Sequence, residues 1–421
     1  MSIRNQPPGN GRIKMKNNKL RTKFIFLIIT LIILPVGIYA YDFGITANIN
    51  TGLNNANQDE TTFNFGLNLW PYYSTLINDN SEFIVSASVS LGYDNSEFFF
   101  IPELLRTEFS MRFETSVLRA GRFNYTDPLS FIVSGLFDGV QYFYNTAIGN
   151  FNAGLWYTGL LYKKNANITM TNDDMEEFIK PVDSKNISDT YFASRRLFAS
   201  IGWEHPSVAE MIHLNTAIIF QIDLTDAVNR YNNQYLIVKA SIPYSDFLFE
   251  FGGSIELSQH TGVEKNIAFA GEAGFYWMIP GEINSRLSFT GIIAGGRIGD
   301  LCDAFVPITS KYYGYVLKHK MSGLSIFTAE YIRRFNSSIG AQFTASYFIR
   351  NDLGTFTGYP ADQSSSGYFL GPEISSSLTW RPASDLFVNF SAGMFIPAIG
   401  NTGSQEKTQW RAELSAVMSL Y

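Results

Sequence analysis

The 421-residue chain carries 31 Lys and Arg against 37 Asp and Glu. Its charged fraction of 16% is far below the roughly 25% of an ordinary soluble domain. The balance excludes a basic nucleic-acid binder, 46% apolar residues exclude a disordered chain, and the single cysteine, Cys302, excludes a disulfide framework or a Cys-rich metal site.

Residues 1–40 carry Arg4, Arg12, Lys14, Lys16, Lys19, Arg21 and Lys23 and no acid. Phe24 to Val36 is a largely apolar run, followed by Gly37-Ile38-Tyr39-Ala40. A basic start, a short apolar run and a small residue before the cut form the pattern of a cleaved secretory signal peptide. The run is short of the roughly 20 residues that a spanning helix needs. Ala40 is the expected cleavage residue, and Met15 is the alternative start. The mature domain is expected over 41–421.

Beyond Tyr41 no stretch is apolar and long enough for a spanning helix. The dominant signal is period two. Phe83, Val85, Ala87, Val89, Leu91 and Tyr93 alternate with Glu82, Ser86, Ser88, Ser90 and Gly92. Ile339 to Ile349, Tyr368 to Trp380, Leu386 to Ile396 and Trp410 to Leu420 repeat the pattern. It predicts strands over 42–50, 60–70, 82–94, 103–113, 115–123, 137–146, 150–161, 193–203, 212–224, 232–242, 246–257, 266–278, 283–293, 323–334, 337–349, 368–380, 384–397 and 407–420. Many of these runs exceed the five or six residues usual in globular strands and match the roughly 9–11 of a tilted membrane-spanning strand. Residues 308–318 are a further candidate. Counting them would put the 350–366 loop on the short-turn side, so 294–322 is read as one long outer loop.

Aromatic residues make up 15% of the chain. Trp70, Tyr72, Tyr73, Tyr93, Trp203, Trp277, Trp380 and Trp410 lie at run ends, where interfacial girdles belong. The expected fold is all-β: an antiparallel transmembrane β-barrel of about 18 strands, with 16 as the alternative count, after a signal peptide. A soluble β-sandwich, β-helix or propeller is the competing reading. Many outer-membrane barrels end on an aromatic residue in an alternating strand. This chain resembles them in ending on Tyr421, although its apolar series ends on Leu420.

Arg119-Ala120-Gly121-Arg122-Phe123-Asn124-Tyr125-Thr126-Asp127-Pro128 continues to Gly135-Leu136-Phe137-Asp138-Gly139-Val140. This stretch resembles the corresponding part of alginate-export-type and related porins. The resemblance covers about 22 residues and implies a transport barrel without carrying a substrate over.

Loop 124–136 holds Leu129, Phe131, Ile132, Val133 and Leu136, too apolar for an exposed loop tip. It either folds into the lumen or packs on the rim or on a neighbouring subunit. Arg106, Glu108 and Arg112 share one face of their strand, and Arg119 alternates onto the same kind of face in the next. Charge at the lipid midplane costs about 2–4 kcal/mol for Arg, so this face belongs in the lumen. Arg122 has opposite parity and belongs near the rim. Arg106, Glu108, Arg112, Arg119, Asp127 and Asp138 are therefore the candidate pore-lining residues. The strip would filter anions or merely brace the wall as a solvated ladder.

Four histidines, His205, His213, His260 and His319, show no catalytic or metal-ligand spacing. Asp173, Asp174, Glu176 and Glu177 read as a solvated acidic loop or, alternatively, a divalent-cation site. No cofactor or metal is expected, and no enzyme activity. The expected function is a porin for small hydrophilic solutes. The alternative is a surface adhesion or ligand-binding barrel acting through loops 163–190, 294–322 and 350–366. Expected partners are outer-membrane lipid, small hydrophilic solutes, the barrel-assembly machinery and, in a homo-oligomer, further copies of the chain. Nucleic acid is not among them.

Overall fold

The computed structural model describes residues 41–55, 61–94, 97–183, 186–225, 230–260, 265–281, 285–297, 304–352, 367–402 and 407–420. The expected signal peptide, Cys302 and most of loop 350–366 lie outside the described residues.

Alternation sets the strands. In chain order they are β1 (Tyr41–Asn54), β2 (Thr62–Asn78), β3 (Ser81–Asp94), β4 (Glu97–Arg112), β5 (Ser116–Thr126), β6 (Ser134–Thr146), β7 (Gly149–Tyr157), β8 (Arg196–Val208), β9 (Ile212–Asp223) and β10 (Tyr231–Tyr244). They continue as β11 (Phe247–His260), β12 (Asn266–Met278), β13 (Arg286–Ala294), the short β14 (Tyr312–Tyr313) and β15 (His319–Lys320), β16 (Leu324–Arg334), β17 (Ile339–Arg350), β18 (Phe369–Ala383), β19 (Leu386–Phe395) and β20 (Gln409–Leu420). Three short helices, α1 (Lys163–Ala166), α2 (Asn172–Ile179) and α3 (Ile187–Thr190), lie between β7 and β8.

Every long strand pairs antiparallel with its neighbour in sequence, β13 with β16, and β1 pairs with β20 from Ile45–Leu420 to Asn54–Arg411. The result is a closed 18-stranded transmembrane barrel. Closure removes the free edges that an open sheet leaves unpaired in lipid. Residues 308–318 do not span; they contribute only β14 and part of a loop.

Short turns alternate with long connections. Asp79–Asn80, Ser245–Asp246 and Ser384–Asp385 join their strands in two residues, with Ser245 at φ 54°. Small polar residues tolerate the left-handed backbone that such hairpins demand. The long connections, including 158–195 and 295–323, gather at the opposite end.

The two faces of β10 show how the wall works. Leu236 and Val238 are 48% and 44% exposed, while Tyr235 and Ile237 are 1% and 0% exposed. Both faces are apolar, but the exposed one is the outer surface. Phe251, Phe269, Phe289, Phe327, Phe343 and Phe390 continue that exposed surface around the barrel. In water such a surface would drive association; in lipid it is solvated. Tyr73, Tyr93, Trp203, Trp277, Trp380 and Trp410 share this outer phase. Trp70 and Tyr72 do not. Tyr72 pairs with Gly44, and an added Cβ on Gly44 would lie 2.4 Å from the Tyr72 ring. Trp70 and Tyr72 therefore face inward, a correction to the girdle expectation.

The buried core lies inside the barrel. Phe123, Phe137, Trp156, Phe198, Ile219, Tyr235 and Ile237 line the inner wall from β5 to β10. Leu129, Phe131, Ile132, Val133, Ile168, Phe305 and Ile308 from three long connections pack on them. A smaller cluster joins Val316 to Leu324, Ile326, Phe348, Leu370 and Phe395 on β16 to β19 and its flanks.

Candidate functional site

The connection between β5 and β6 folds into the lumen. Its organiser is Asp127, which is fully buried. The two carboxylate oxygens accept the backbone N–H groups of Leu129 at 2.7 Å, Ser130 at 3.1 Å, Ile132 at 2.9 Å and Val133 at 2.8 Å. Ser130 adopts φ 61° to make the turn. One side chain thus closes the loop and leaves its apolar residues pointing into the core. Burial pushes the Asp127 carboxyl up to about 6, against the pull of those N–H donors.

The loop reaches far across the wall. Leu129 lies over Gly252 on β11, where an added Cβ would meet its Cδ2 at 2.3 Å. Glycine is required there for close approach. The segment before β14 joins it: Thr309 donates its N–H to the Ile132 carbonyl at 3.1 Å, and Ser134 donates to the Thr309 hydroxyl at 2.9 Å. Val306 donates to Glu256 at 2.7 Å, and the Tyr235 hydroxyl donates to the Val306 carbonyl at 2.6 Å. Further along, the N–H groups of Tyr315, Val316 and Leu317 all donate to Glu373 on β18. The Tyr315 hydroxyl donates to the Ser391 carbonyl on β19 at 3.1 Å.

The β7–β8 connection is anchored by a buried ion group. Arg196 meets Asp174 at 2.6 Å and Asp223 at 2.5 Å. Asp174 also accepts the Thr171 N–H, while the Thr171 hydroxyl accepts the Asp174 N–H at the start of α2. Asp174 is thereby spent on structure, and among the described residues no His, Cys, Asp or Glu group is arranged to hold a metal.

The lumen charges form two groups. On β4 and β5, Glu108 accepts from Arg106 Nε at 2.6 Å and from Arg119 Nε at 2.6 Å. Glu108 is buried and both arginines are partly exposed. Arg119 also stacks on Phe123, 4.5 Å from the ring centroid. Two guanidinium groups on one carboxylate leave this site net positive. On β20, Arg411 pairs with Glu413 and lies 5.7 Å from the Tyr315 ring, and Lys318 lies in their field. The β10–β12 wall has the opposite balance: Lys239 lies 3.4 Å from Glu250 and 3.0 Å from Glu272.

Of the residues singled out from sequence, Arg106, Glu108 and Arg119 come together. Arg112 shares their face but sits exposed beside the Phe113–Thr115 turn, outside the cluster. Asp127 holds the inward loop and is not exposed to the lumen. Asp138 has the phase of exposed Val140 and Tyr142, the outer face, and grips Arg122 with both oxygens, at 2.9 and 2.8 Å. The expectation that Asp138 lines the pore is corrected on that ground. Arg122 also donates to the Leu104 and Leu160 carbonyls, at 2.6 and 3.1 Å. It seals the wall above Thr107, where β4 and β5 cease to pair.

The inward course of residues 304–317 was not foreseen. The signal was present: Phe305, Val306, Ile308, Val316 and Leu317 are as apolar as the 124–136 loop. Tyr315, Lys318 and Arg411 join the site for that reason. His213 meets Glu204 at 2.8 Å but lies exposed near the short-turn end, and burial pulls His319 down to about 4, so it is neutral.

No family model and no curated protein matches the sequence. Solved structures do match the fold. Pseudomonas aeruginosa OccK2 (OpdF) in complex with glucuronate superposes with a TM-score of 0.59 at 15% identity, covering 90% of this chain and 97% of that one. The outer membrane protein opdK of the same organism gives 0.58 at 10% identity, covering 90% and 98%. Pseudomonas aeruginosa OccK8 (OprE) gives 0.57 at 12% identity, with the same coverage. At these identities the likeness is one of fold.

Proposed function

We propose that the chain is an outer-membrane porin that lets small hydrophilic solutes diffuse through its lumen, with preference for anionic ones. Barrels of 16–18 strands leave an aqueous channel. Here inserted loops fill one side and leave a polar passage along β18 to β20 and β1 to β4. The observation that carries the anion preference is the Arg106–Glu108–Arg119 cluster. With Lys318, Arg411 and Glu413, four cations face two carboxylates around this passage. A net positive rim concentrates anions. The neighbour OccK2 (OpdF) was solved with glucuronate, itself a carboxylate. The likeness of residues 119–140 to alginate-export-type porins supports a transport barrel in the same sense.

The adhesion reading has less support, because Ile168, Met170, Phe305 and Ile308, in the described parts of loops 163–190 and 294–322, pack into the buried core. Export with cleavage after Ala40, and folding by the barrel-assembly machinery, belong to the same proposal. An amino-terminal sequence of the mature protein starting at Tyr41 would support the first. Planar-bilayer recording tests the channel itself. Stable conductance steps with a reversal potential on the chloride side of a KCl gradient are expected. A folded, heat-modifiable barrel without conductance would overturn the reading.

A further inference from the structure

We propose that the lumen holds a stacking platform for neutral sugar rings, built on Trp70 and Tyr72 and independent of the channel charges; this rests on the porin reading and adds a solute class to it. Trp70 and Tyr72 follow each other on the inward face of β2, about 7 Å apart along the strand. Trp156, the other inward tryptophan, is fully buried under the inserted loops. Trp70 and Tyr72 are half-buried and belong to neither buried cluster. They therefore border the open side of the lumen.

The glycine opposite shows how Tyr72 is laid. The atoms nearest an added Cβ on Gly44 would be Tyr72 Cε1, Cζ and Oη, the last two at 2.7 Å. The outer end of the ring thus lies across β1, along the wall, and its other face turns to the lumen. Around the two rings the wall is uncharged. From Gly44 to Asn54 on β1 and from Thr62 to Ser74 on β2, every other inward position is Gly, Ser, Thr or Asn. Ser86 and Ser90 continue this lane on β3, opposite Tyr72 and Asn68, and Ser415 continues it on β20, opposite Asn50. Asn50 is exposed, and Asn64 and Asn68 are half-buried. Each amide offers two donors and an acceptor.

Two aromatic faces in a lane of amides and hydroxyls match a pyranose. Its ring carbons present an apolar face of C–H groups, and its hydroxyls stand around the edge. The indole and phenol rings take the apolar face; the amides and hydroxyls take the edge. Charge has no part in this. Arg106 lies on the row Tyr72–Ser86–Arg106, two strands from Tyr72, about 10 Å away between backbones. Thr46, directly opposite Trp70, and Asn68 on its own strand stand closer. Tyr72 over Gly44 also shields backbone, a role that is blind to the shape of a solute. Solute shape is therefore the deciding variable.

Single-channel current through the refolded full chain is recorded while glucose, or its acyclic counterpart sorbitol, is added at equal concentration. Glucose should lower the current saturably. Sorbitol carries the hydroxyls without a flat ring face, and should lower it only in proportion to concentration, as viscosity does. Trp70→Ala should raise the half-blocking glucose concentration by roughly 5-fold, the scale of one lost aromatic contact. Tyr72→Ala should act in the same direction, and Trp70→Phe should retain most of the block; heat-modifiable mobility checks that each variant folds. Equal responses to glucose and sorbitol, or a Trp70→Ala midpoint equal to wild type, overturn the platform. So does block by benzoate with none by glucose, which would make the rings a seat for aromatic acids. Conductance without glucose block overturns the platform alone, whereas absence of conductance overturns the channel reading with it.

Discussion

The two sides of the lumen are made by the same alternating strands and end in opposite states. From β5 to β10 the inward positions include Phe123, Phe137, Trp156, Phe198, Tyr235 and Ile237, and all are buried under inserted loops. On β18 to β20 and β1 to β2 they include Asn48, Asn50, Asn64, Ser377, Asn389 and Ser415, and none of these is buried. Alternation decides which residues share a face. What the loops bring to that face decides whether it becomes core or channel wall. The barrel thus borrows a water-excluding core from its loops and keeps the remainder of its width for solute.

Cutting the packed side should give the largest effects. Phe198→Ala removes a fully buried ring beside Trp156 and Phe137, and should cost about 3–5 kcal/mol. Arg196→Met strands Asp174 and Asp223 without their cation, a loss of about 3–5 kcal/mol of the same order. Asn389→Ala on the open side should stay within about 0.5 kcal/mol. Urea unfolding of the refolded proteins separates the two classes. Equal losses on both sides would end the distinction between core and channel wall.

Asp127 gives the next largest effect, and it depends on pH. Its folded-state carboxyl stands at about 6, raised by burial from the ordinary 3.8. The folded chain therefore keeps this proton longer than the unfolded one. The contribution is full below pH 4 and is lost as pH rises through 6, by on the order of 3 kcal/mol. Wild-type urea midpoints should fall between pH 4 and pH 7. Asp127→Asn should flatten that slope and, because an amide cannot accept all four N–H bonds, lower stability at pH 7 by about 1–3 kcal/mol. Parallel slopes in the two proteins would place the titration elsewhere.

A smaller change probes the reach of the inward loop. Gly252→Val fills the space that Leu129 occupies, at a cost of about 1–3 kcal/mol for overpacking. It should push the 127–133 turn off β11 and alter single-channel conductance. Leu129→Ala in the same protein should restore it. An unaltered conductance would mean that this turn does not bound the solute path.

Much of this architecture was legible in the sequence, because a strand buried on one side and bathed in lipid on the other must alternate. Parity placed 294–322 in one long connection, and in the structure β13 ends at Ala294 and the next long strand, β16, begins at Leu324. The apolar content of loop 124–136 called for burial, but composition alone does not say whether rim or lumen supplies it. Leu129 over Gly252 answers that only in three dimensions. Trp70 and Tyr72 misled because aromatic rings suit an interface and a lumen equally. Asp138 misled for a simpler reason: residues directly opposite in an antiparallel pair share a face, and its partner is the outward Arg122.

Arg106→Gln carries the smallest expected change in stability and the clearest consequence for function. Arg106 is more than a third exposed, and pairs of that kind contribute about 0–1 kcal/mol. Glu108 keeps Arg119 as a partner, so no buried carboxylate is left alone. What changes is the sum of charge: two cations on one carboxylate become one on one, and the cluster turns neutral. The barrel should fold as before while its reversal potential moves toward potassium. Glu108→Gln should move it the other way, freeing two cations from their shared anion, at a larger cost in stability. Opposite shifts from two neighbouring changes that each remove one charge would tie selectivity to this cluster's charge. Shifts of the same sign would point instead to altered packing around Phe123.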